Sequence, residues 1–168
     1  EVMKLSRTGH TSWTLTEVDF TDGPYLSENT TTTTLTPAQS ATGTGVNITA
    51  SAITGINSGA GFQTTDVGRI ISFNSGKAKI TARTNTTVVV CTITTAFANT
   101  DAKTDWKLGA FSDTTGHPSC VSFFEQRLVF AGTTDEPQTL YFSKAGDYEN
   151  MTTGTNADDA MVYTIASN

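Results

Sequence analysis

Threonine makes up roughly a fifth of this 168-residue chain, and that excess limits what the chain can fold into. Thr is β-branched, and its stiff side chain favours strands over helices. Charged residues are only 15% of the sequence, while Gly is plentiful and Pro scarce. The composition therefore predicts an all-β globular protein and excludes a disordered acidic tail or a collagen-like repeat.

The charge pattern excludes a nucleic-acid reader. Ten basic residues stand against sixteen acidic ones, which gives a formal net charge of −6. The basic residues are scattered singly, whereas tight DNA binding needs a basic stripe that neutralises phosphates. The sequence also predicts no membrane span, because no apolar run approaches about 18 residues. Since the chain starts at Glu1 inside a strand-like segment without a signal peptide, we expect it to be a piece of a larger protein.

Shifts in composition divide the chain into three predicted parts. Residues 1–35 are interpreted as strands of a parent β domain followed by a Thr-rich linker. Residues 36–108 are predicted to form a small inserted β-barrel or sandwich module. Residues 109–168 hold the densest apolar region and are predicted to supply antiparallel strands of a propeller-like sheet.

Alternating apolar residues locate the strands. In the first part, Trp13 and Leu15 are out of phase with Val18, which predicts a bulge between Leu15 and Val18. In the inserted module, residues 87–94 are apolar on both phases and are predicted to be buried on both faces. A tight turn is predicted at Asn74, Ser75 and Gly76.

The third part reads as consecutive antiparallel strands at Cys120–Phe124, Arg127–Ala131 and residues 139–143, joined first by a tight turn at Glu125 and Gln126. Met161, Tyr163 and Ile165 alternate in a final strand. Because both Cys91 and Cys120 lie in apolar strand-like runs, the pattern predicts two buried free thiols and no disulfide.

Residues that could support catalysis have a simpler structural interpretation. Asp113, His117, Ser119 and Cys120 lie close in sequence, but Gly-His-Pro before the strand is typical of a turn, and Cys120 is expected to point into the apolar layer. Neither a metal site nor a cofactor site is predicted.

The other polar candidates are treated in the same way. Asp158 and Asp159, with Asn156, lack the regular oxygen spacing of a calcium loop and are interpreted as a solvated turn. Arg127 is expected to pair with Asp147 or Glu149 on neighbouring strands. Aromatic residues that could stack on sugars are Trp13, Tyr25, Trp106, Tyr141 and Tyr148, although core packing is their commoner role.

Four ordered blocks give the chain a resemblance to a known family. They cover residues 8–13 (TGHTSW) with 18–26 (VDFTDGPYL), residues 62–70 (FQTTDVGRI), residues 106–150 in the runs WKLGAFSD, HPSCVSFFEQRLVFAGT, PQTLYFS and GDYEN, and residues 158–167 (DDAMVYTIAS). Together they resemble the tail tubular protein B, or nozzle, proteins of short-tailed bacteriophages and prophages.

That resemblance implies a structural virion protein with no catalytic positions to carry over. Such a protein forms a ring at the distal end of the tail, often with propeller-like sheets, and the genome passes through it. The implied partners are copies of itself, other phage tail proteins and, transiently and without specificity, the passing DNA. The implied location is the phage tail, assembled in the cytoplasm of the bacterial host.

Two other classes of function stay open from the residues alone. One is a carbohydrate-binding module that recognises a cell-surface glycan through exposed aromatic side chains. The other is a hydrolase built around His117 and Ser119.

Overall fold

The computed structural model describes residues 1–165 and is an all-β structure. Strand residues, counted together with isolated β-bridge residues, make up 44%, and no helix among the described residues reaches seven residues. The strands are β1 (Met3–Arg7), β2 (Trp13–Glu17), β3 (Leu35–Pro37), β4 (Gly43–Ala50), β5 (Ile70–Phe73), β6 (Gly76–Arg83), β7 (Val88–Thr95), β8 (Lys107–Leu108), β9 (Cys120–Phe124), β10 (Arg127–Ala131), β11 (Thr139–Phe142) and β12 (Met161–Thr164). In the described part of the chain no helix is long and apolar enough to cross a membrane.

The chain divides into two compact units. Unit 1 combines Glu1–Pro24 with the chain from Thr115 onward, and unit 2 is Tyr25–Thr114. Unit 2 is thus longer at both ends than the predicted module of residues 36–108. In particular, the stretch predicted as a Thr-rich linker is packed, because Thr33 is buried and its hydroxyl donates to Thr54 O at 2.7 Å.

Unit 2 is a single curled antiparallel sheet. Its strand order is β3-β4-β7-β6-β5-β8, and it curls into a half-barrel. Alternate residues of the central strand β7 point inward, so Val89, Cys91 and Ile93 are fully or almost fully buried. The intervening residues 88, 90 and 92 are only half-buried, so the prediction that this strand is buried on both faces is wrong. A half-barrel encloses one face and leaves the other partly in solvent.

The turn between β5 and β6 forms as predicted. Asn74 and Ser75 have φ values of 47° and 62°, which is the left-handed pair of a two-residue hairpin turn. The Asn74 side-chain amide donates to Asn99 O and Oδ1 at 2.9 and 2.8 Å and anchors the turn. Position 76, where β6 begins, requires glycine because a Cβ there would clash with the ring of Phe97.

A charged cluster lies inside unit 2. Arg69 and Asp66 form an ion pair at 3.0 Å, and both side chains are completely buried. The Asp66 carboxylate also accepts from Asn57 Nδ2 and the Gln63 backbone N–H, each at 2.7 Å. Arg69 Nη1 donates to Asn57 Oδ1 at 2.7 Å. The cluster ties the loop before β5 together through side chains, in addition to the backbone hydrogen bonds that the loop makes, such as Gly68 N–H to Ile80 O at 2.8 Å.

Unit 1 contains a two-stranded ribbon, β1-β2, and a four-stranded meander with the order β12-β11-β10-β9. The ribbon register runs without interruption from Arg7 opposite Trp13 to Met3 opposite Glu17, and Val18 N–H continues it by donating to Val2 O at 2.9 Å. The predicted bulge is therefore absent from the ribbon. The phase shift has another cause, since Trp13 and Leu15 are solvent-exposed while Val18 is half-buried.

The core of unit 1 is smaller than that of unit 2. Phe130 and Tyr141 are its largest fully buried side chains, and Phe20 packs edge-on against Phe130 with ring centroids 5.9 Å apart. Asp22 joins the N-terminal segment to the rest of the unit, because its carboxylate accepts from the Thr152 hydroxyl at 2.7 Å. Phe130 and Tyr141 lie opposite each other on one face of the meander.

Candidate functional site

The candidate site is the open edge of the four-stranded sheet in unit 1, formed by β9. All five residues of β9 are exposed, and its sequence, CVSFF, contains no charge. Val121 and Phe123 are 66% and 67% exposed, and exposed apolar side chains that lie together, unlike single ones, mark an interaction site. Edge strands of monomeric proteins are ordinarily protected by Lys, Pro or bulges. β9 has none of these.

The opposite edge of the same sheet, β12, has the same character. Its sequence, MVYT, is also uncharged, and Val162 and Tyr163 are 41% and 58% exposed. Ile165, which directly follows the strand, is also exposed. Most of the exposed large apolar side chains of the described chain lie in unit 1. Unit 1 therefore presents apolar surface of the kind that marks an interaction site.

The register of the sheet shows which backbone groups face outward. Phe124 and Arg127 flank the two-residue turn and form a hydrogen-bonded pair, as then do Ser122 and Val129. The N–H and C=O groups of Val121 and Phe123 therefore point away from β10. No described residue hydrogen-bonds these outward groups. β9 thus offers an unpaired strand edge.

The same alternation shows which backbone groups of β12 face outward. Ile165 N–H donates to Gln138 O at 2.9 Å, so Tyr163 and Met161 also belong to hydrogen-bonded pairs with β11. The backbone groups of Val162 and Thr164 consequently face outward. Each edge of the meander presents two outward-facing residues.

An apolar cavity of about 500 Å³ lies beside β9 within unit 1. Its apolar lining comes from the ribbon and the sheet and includes Val2, Leu5, Val18, Val121, Phe123 and Leu128. Tyr148 closes one side, since its ring meets that of Phe123 edge-on at 5.2 Å between centroids. At the rim, the ammonium of Lys4 pairs with the Glu149 carboxylate. The size and the mostly apolar lining of the cavity suit it to hold apolar side chains.

The two cysteines differ. Cys91 is buried as predicted, and burial raises the pKa of its thiol to about 12. Cys120 is exposed at the β9 edge, so the prediction that it is buried is wrong. The reason is that the apolar run around it forms an open sheet edge instead of a core strand.

Arg127 has a structural role that differs from the predicted one. Its guanidinium donates to three backbone carbonyls: Ser143 O at 2.7 Å, and Asp159 O and Ala157 O at 2.6 Å each. These contacts replace the expected pairing with Asp147 or Glu149. Arg127 is buried and fastens the segment before β12 to the sheet, which helps position the β12 edge.

Asp158 and Asp159 lie at a turn. Asp159 accepts from the Asn156 N–H at 2.9 Å, and that hydrogen bond is the largest cause of its lowered pKa. Lys144 contacts the two carboxylates at 3.1 and 3.5 Å, and its pKa is raised, chiefly by the hydrogen bond to Asp158. Among residues 1–165, no group of His, Cys, Asp and Glu could hold a metal ion.

Asp113, His117, Ser119 and Cys120 are the residues considered for catalysis. The Ser119 hydroxyl donates to Gly132 O at 3.0 Å and is 3.9 Å from Cys120 Sγ. Its proton is therefore directed at a backbone carbonyl, whereas a nucleophile needs a base there. Asp113 belongs to unit 2, while His117 and Ser119 belong to unit 1.

Of the five aromatic residues considered for sugar stacking, two are unavailable. Trp106 is buried and donates its indole N–H to Thr33 O at 2.9 Å, and Tyr141 is fully buried. Tyr25 is half-buried. Trp13 and Tyr148 are exposed, at 57% and 43%, and the Arg7 guanidinium lies 5.7 Å from the Trp13 ring centroid.

Neither a protein-family model nor a curated protein matches the chain.

Proposed function

We propose that this chain is a structural component of a virion, part of the tail nozzle ring of a short-tailed bacteriophage, through which DNA is ejected. One observation carries the proposal: the four-stranded sheet of unit 1 has two open, uncharged edges with exposed apolar residues. Monomeric proteins ordinarily protect the open edges of their sheets, because such edges pair with other chains. Exposed apolar edges are expected in a protein that assembles with other subunits.

Two features of the sequence support the nozzle over other assemblies. The ordered blocks described above resemble nozzle proteins, and the last two of them include the strands β9 to β12 of the four-stranded antiparallel meander, the unit from which propellers are built. The net charge of −6 is also suited to a conduit, because an acidic wall repels phosphate and does not retain passing DNA.

The test is the position of the protein in the virion. Immunogold labelling with antibodies against this chain is expected to mark the distal tip of the tail of purified phage. Deletion of the gene is expected to give filled heads that leak DNA or fail to infect. Labelling at the capsid, or an infectious deletion mutant, would refute the nozzle proposal.

A carbohydrate-binding module is the second candidate, favoured by the exposed Trp13 ring. Trp106 is buried, so a glycan that stacks on the protein would change the emission of Trp13 alone. Titration with glycans from the bacterial surface should then shift the emission of the wild type and leave a Trp13→Phe variant unchanged. No shift with any glycan would dismiss this candidate.

A further inference from the structure

The two open edges of the unit 1 sheet, β9 and β12, are complementary in strand direction and in register. The meander has an even number of strands, so its edge strands run in opposite directions. A strand that joins β9 in the direction of β12 therefore continues the antiparallel alternation of the sheet. The two edges of a single chain cannot meet, because they are separated by three inter-strand spacings, about 14 Å.

The register of the match is determined by the outward-facing residues. Val121 and Phe123 on β9 must form hydrogen-bonded pairs with the outward residues of the joining strand, which on β12 are Thr164 and Val162. The antiparallel register that satisfies both pairs places Val121 opposite Thr164 and Phe123 opposite Val162. The same register also extends the contact over residues 120–124 and 161–165 in full.

Side-chain faces agree in this register. Following the observed pairs across the sheet, Val121, Phe130, Tyr141 and Val162 lie on one face. Joining Phe123 to Val162 therefore brings together side chains of the same face, as the pleat requires. A register shifted by one residue would invert every side chain.

From this match we propose that β9 of one copy of this protein pairs with β12 of a second copy, head to tail, to form one continuous antiparallel sheet. The occupant of the β9 edge is thus a second copy of the chain. Neither strand carries a charge that would oppose the pairing, and the cross-strand pairs are apolar or neutral. Contacts of this heterologous kind form rings when the rotation closes. The inference rests on the proposed assembly of copies and names the surface that they use.

The exposed Cys120 allows a direct test. In the proposed register it lies opposite Ile165 of the next copy in a pair without backbone hydrogen bonds, where Cα atoms are about 4.5 Å apart, within the range for a disulfide. Wild-type chain is mixed with a Cys120→Ser/Ile165→Cys variant and oxidised with copper phenanthroline. A disulfide-linked dimer is expected in the mixture, formed at least tenfold faster than in a control mixture with Cys120→Ser/Thr155→Cys, since Thr155 is exposed but lies outside the sheet.

A second substitution tests the backbone pairing. Val162→Pro removes an outward N–H and leaves the hydrogen bonds of β12 to β11 in place. Introduced into the Ile165→Cys chain, it should reduce cross-linking to the rate of the control, whereas Val162→Thr should not. Circular dichroism of each variant establishes that the fold is retained.

The outcomes separate this inference from the proposed function. Cross-linking at the control rate, or equal cross-linking with Val162→Pro and Val162→Thr, overturns the edge pairing even if virions are labelled at the tail tip. Rapid, proline-sensitive cross-linking supports the pairing even if labelling places the protein elsewhere in the virion.

Discussion

Substitution Asp66→Asn tests how far unit 2 depends on its buried charges. The Asn side chain has nearly the same shape as Asp, so the change removes a charge and leaves the packing in place. Asp66 accepts three hydrogen bonds, from Asn57, Gln63 and Arg69, and the Arg69 side chain is completely buried. Loss of the carboxylate leaves a buried cation without its counter-charge. Breaking a buried pair in this way costs about 3–5 kcal/mol.

The magnitude can be read from urea unfolding. With a denaturant slope of about 2 kcal/mol per molar, a loss of about 4 kcal/mol lowers the urea midpoint of unit 2 by about 2 M. The buried Trp106 reports unit 2, and a Trp13→Phe background removes the signal of unit 1. Asp101→Asn is the matched control, because Asp101 is exposed and lies 3.8 Å from Lys103; its effect should stay within about 0.5 kcal/mol. A loss below about 1 kcal/mol for Asp66→Asn would refute the reasoning.

Further predictions concern single residues. A thiol reagent at pH 8 should modify Cys120 alone in the native protein and both thiols after denaturation; modification of both before unfolding would contradict the burial of Cys91. The pKa of Cys91 is raised from 9.0 to about 12, so the unfolded chain loses its thiol proton first. Stability of unit 2 is therefore full below pH 9 and should fall by up to about 4 kcal/mol as pH approaches 12, a slope that Cys91→Ala should reduce. Arg127→Met should destabilise unit 1 by about 3–5 kcal/mol in urea unfolding, because three carbonyls lose a charged donor. Gln126→Gly should stabilise unit 1 by about 0.5–1 kcal/mol, because Gln126 has a φ of 62° in the β9–β10 turn; a lower melting temperature would contradict this.

The sequence predicts the strands of unit 1 closely because they are local and periodic. The predicted strands Cys120–Phe124 and Arg127–Ala131 have the observed bounds, and their turn at Glu125 and Gln126 is the tight one expected. Unit 2 shows the same agreement at the Asn74 turn, where the residue types demand a left-handed backbone. Such features depend on neighbours in the sequence, which the sequence displays directly.

Burial was harder to predict, because it depends on which strand lies at an edge. Val121 and Phe123 occur in the densest apolar region of the sequence, but a sheet edge exposes them. The run CVSFF contains no charged residue and no Pro, which ordinarily protect an edge strand, and that absence is a sequence signal of an edge that pairs with another strand. Arg127 shows the same limit, since its three carbonyl partners lie 16 to 32 residues away.

The proposed edge pairing also implies how strongly two copies of the chain would associate. Each β9–β12 contact offers two hydrogen-bonded residue pairs, and a net contribution of about 1 kcal/mol per hydrogen bond makes a single contact weak against the entropy cost of association. Closure into a ring changes this balance, because the last contact forms within one assembly at a high effective concentration. Isolated chains should consequently associate weakly, and the assembled ring should be stable. The low affinity of a single β9–β12 contact also limits aggregation through the uncharged edges. Stable pairing then requires several copies held in one assembly.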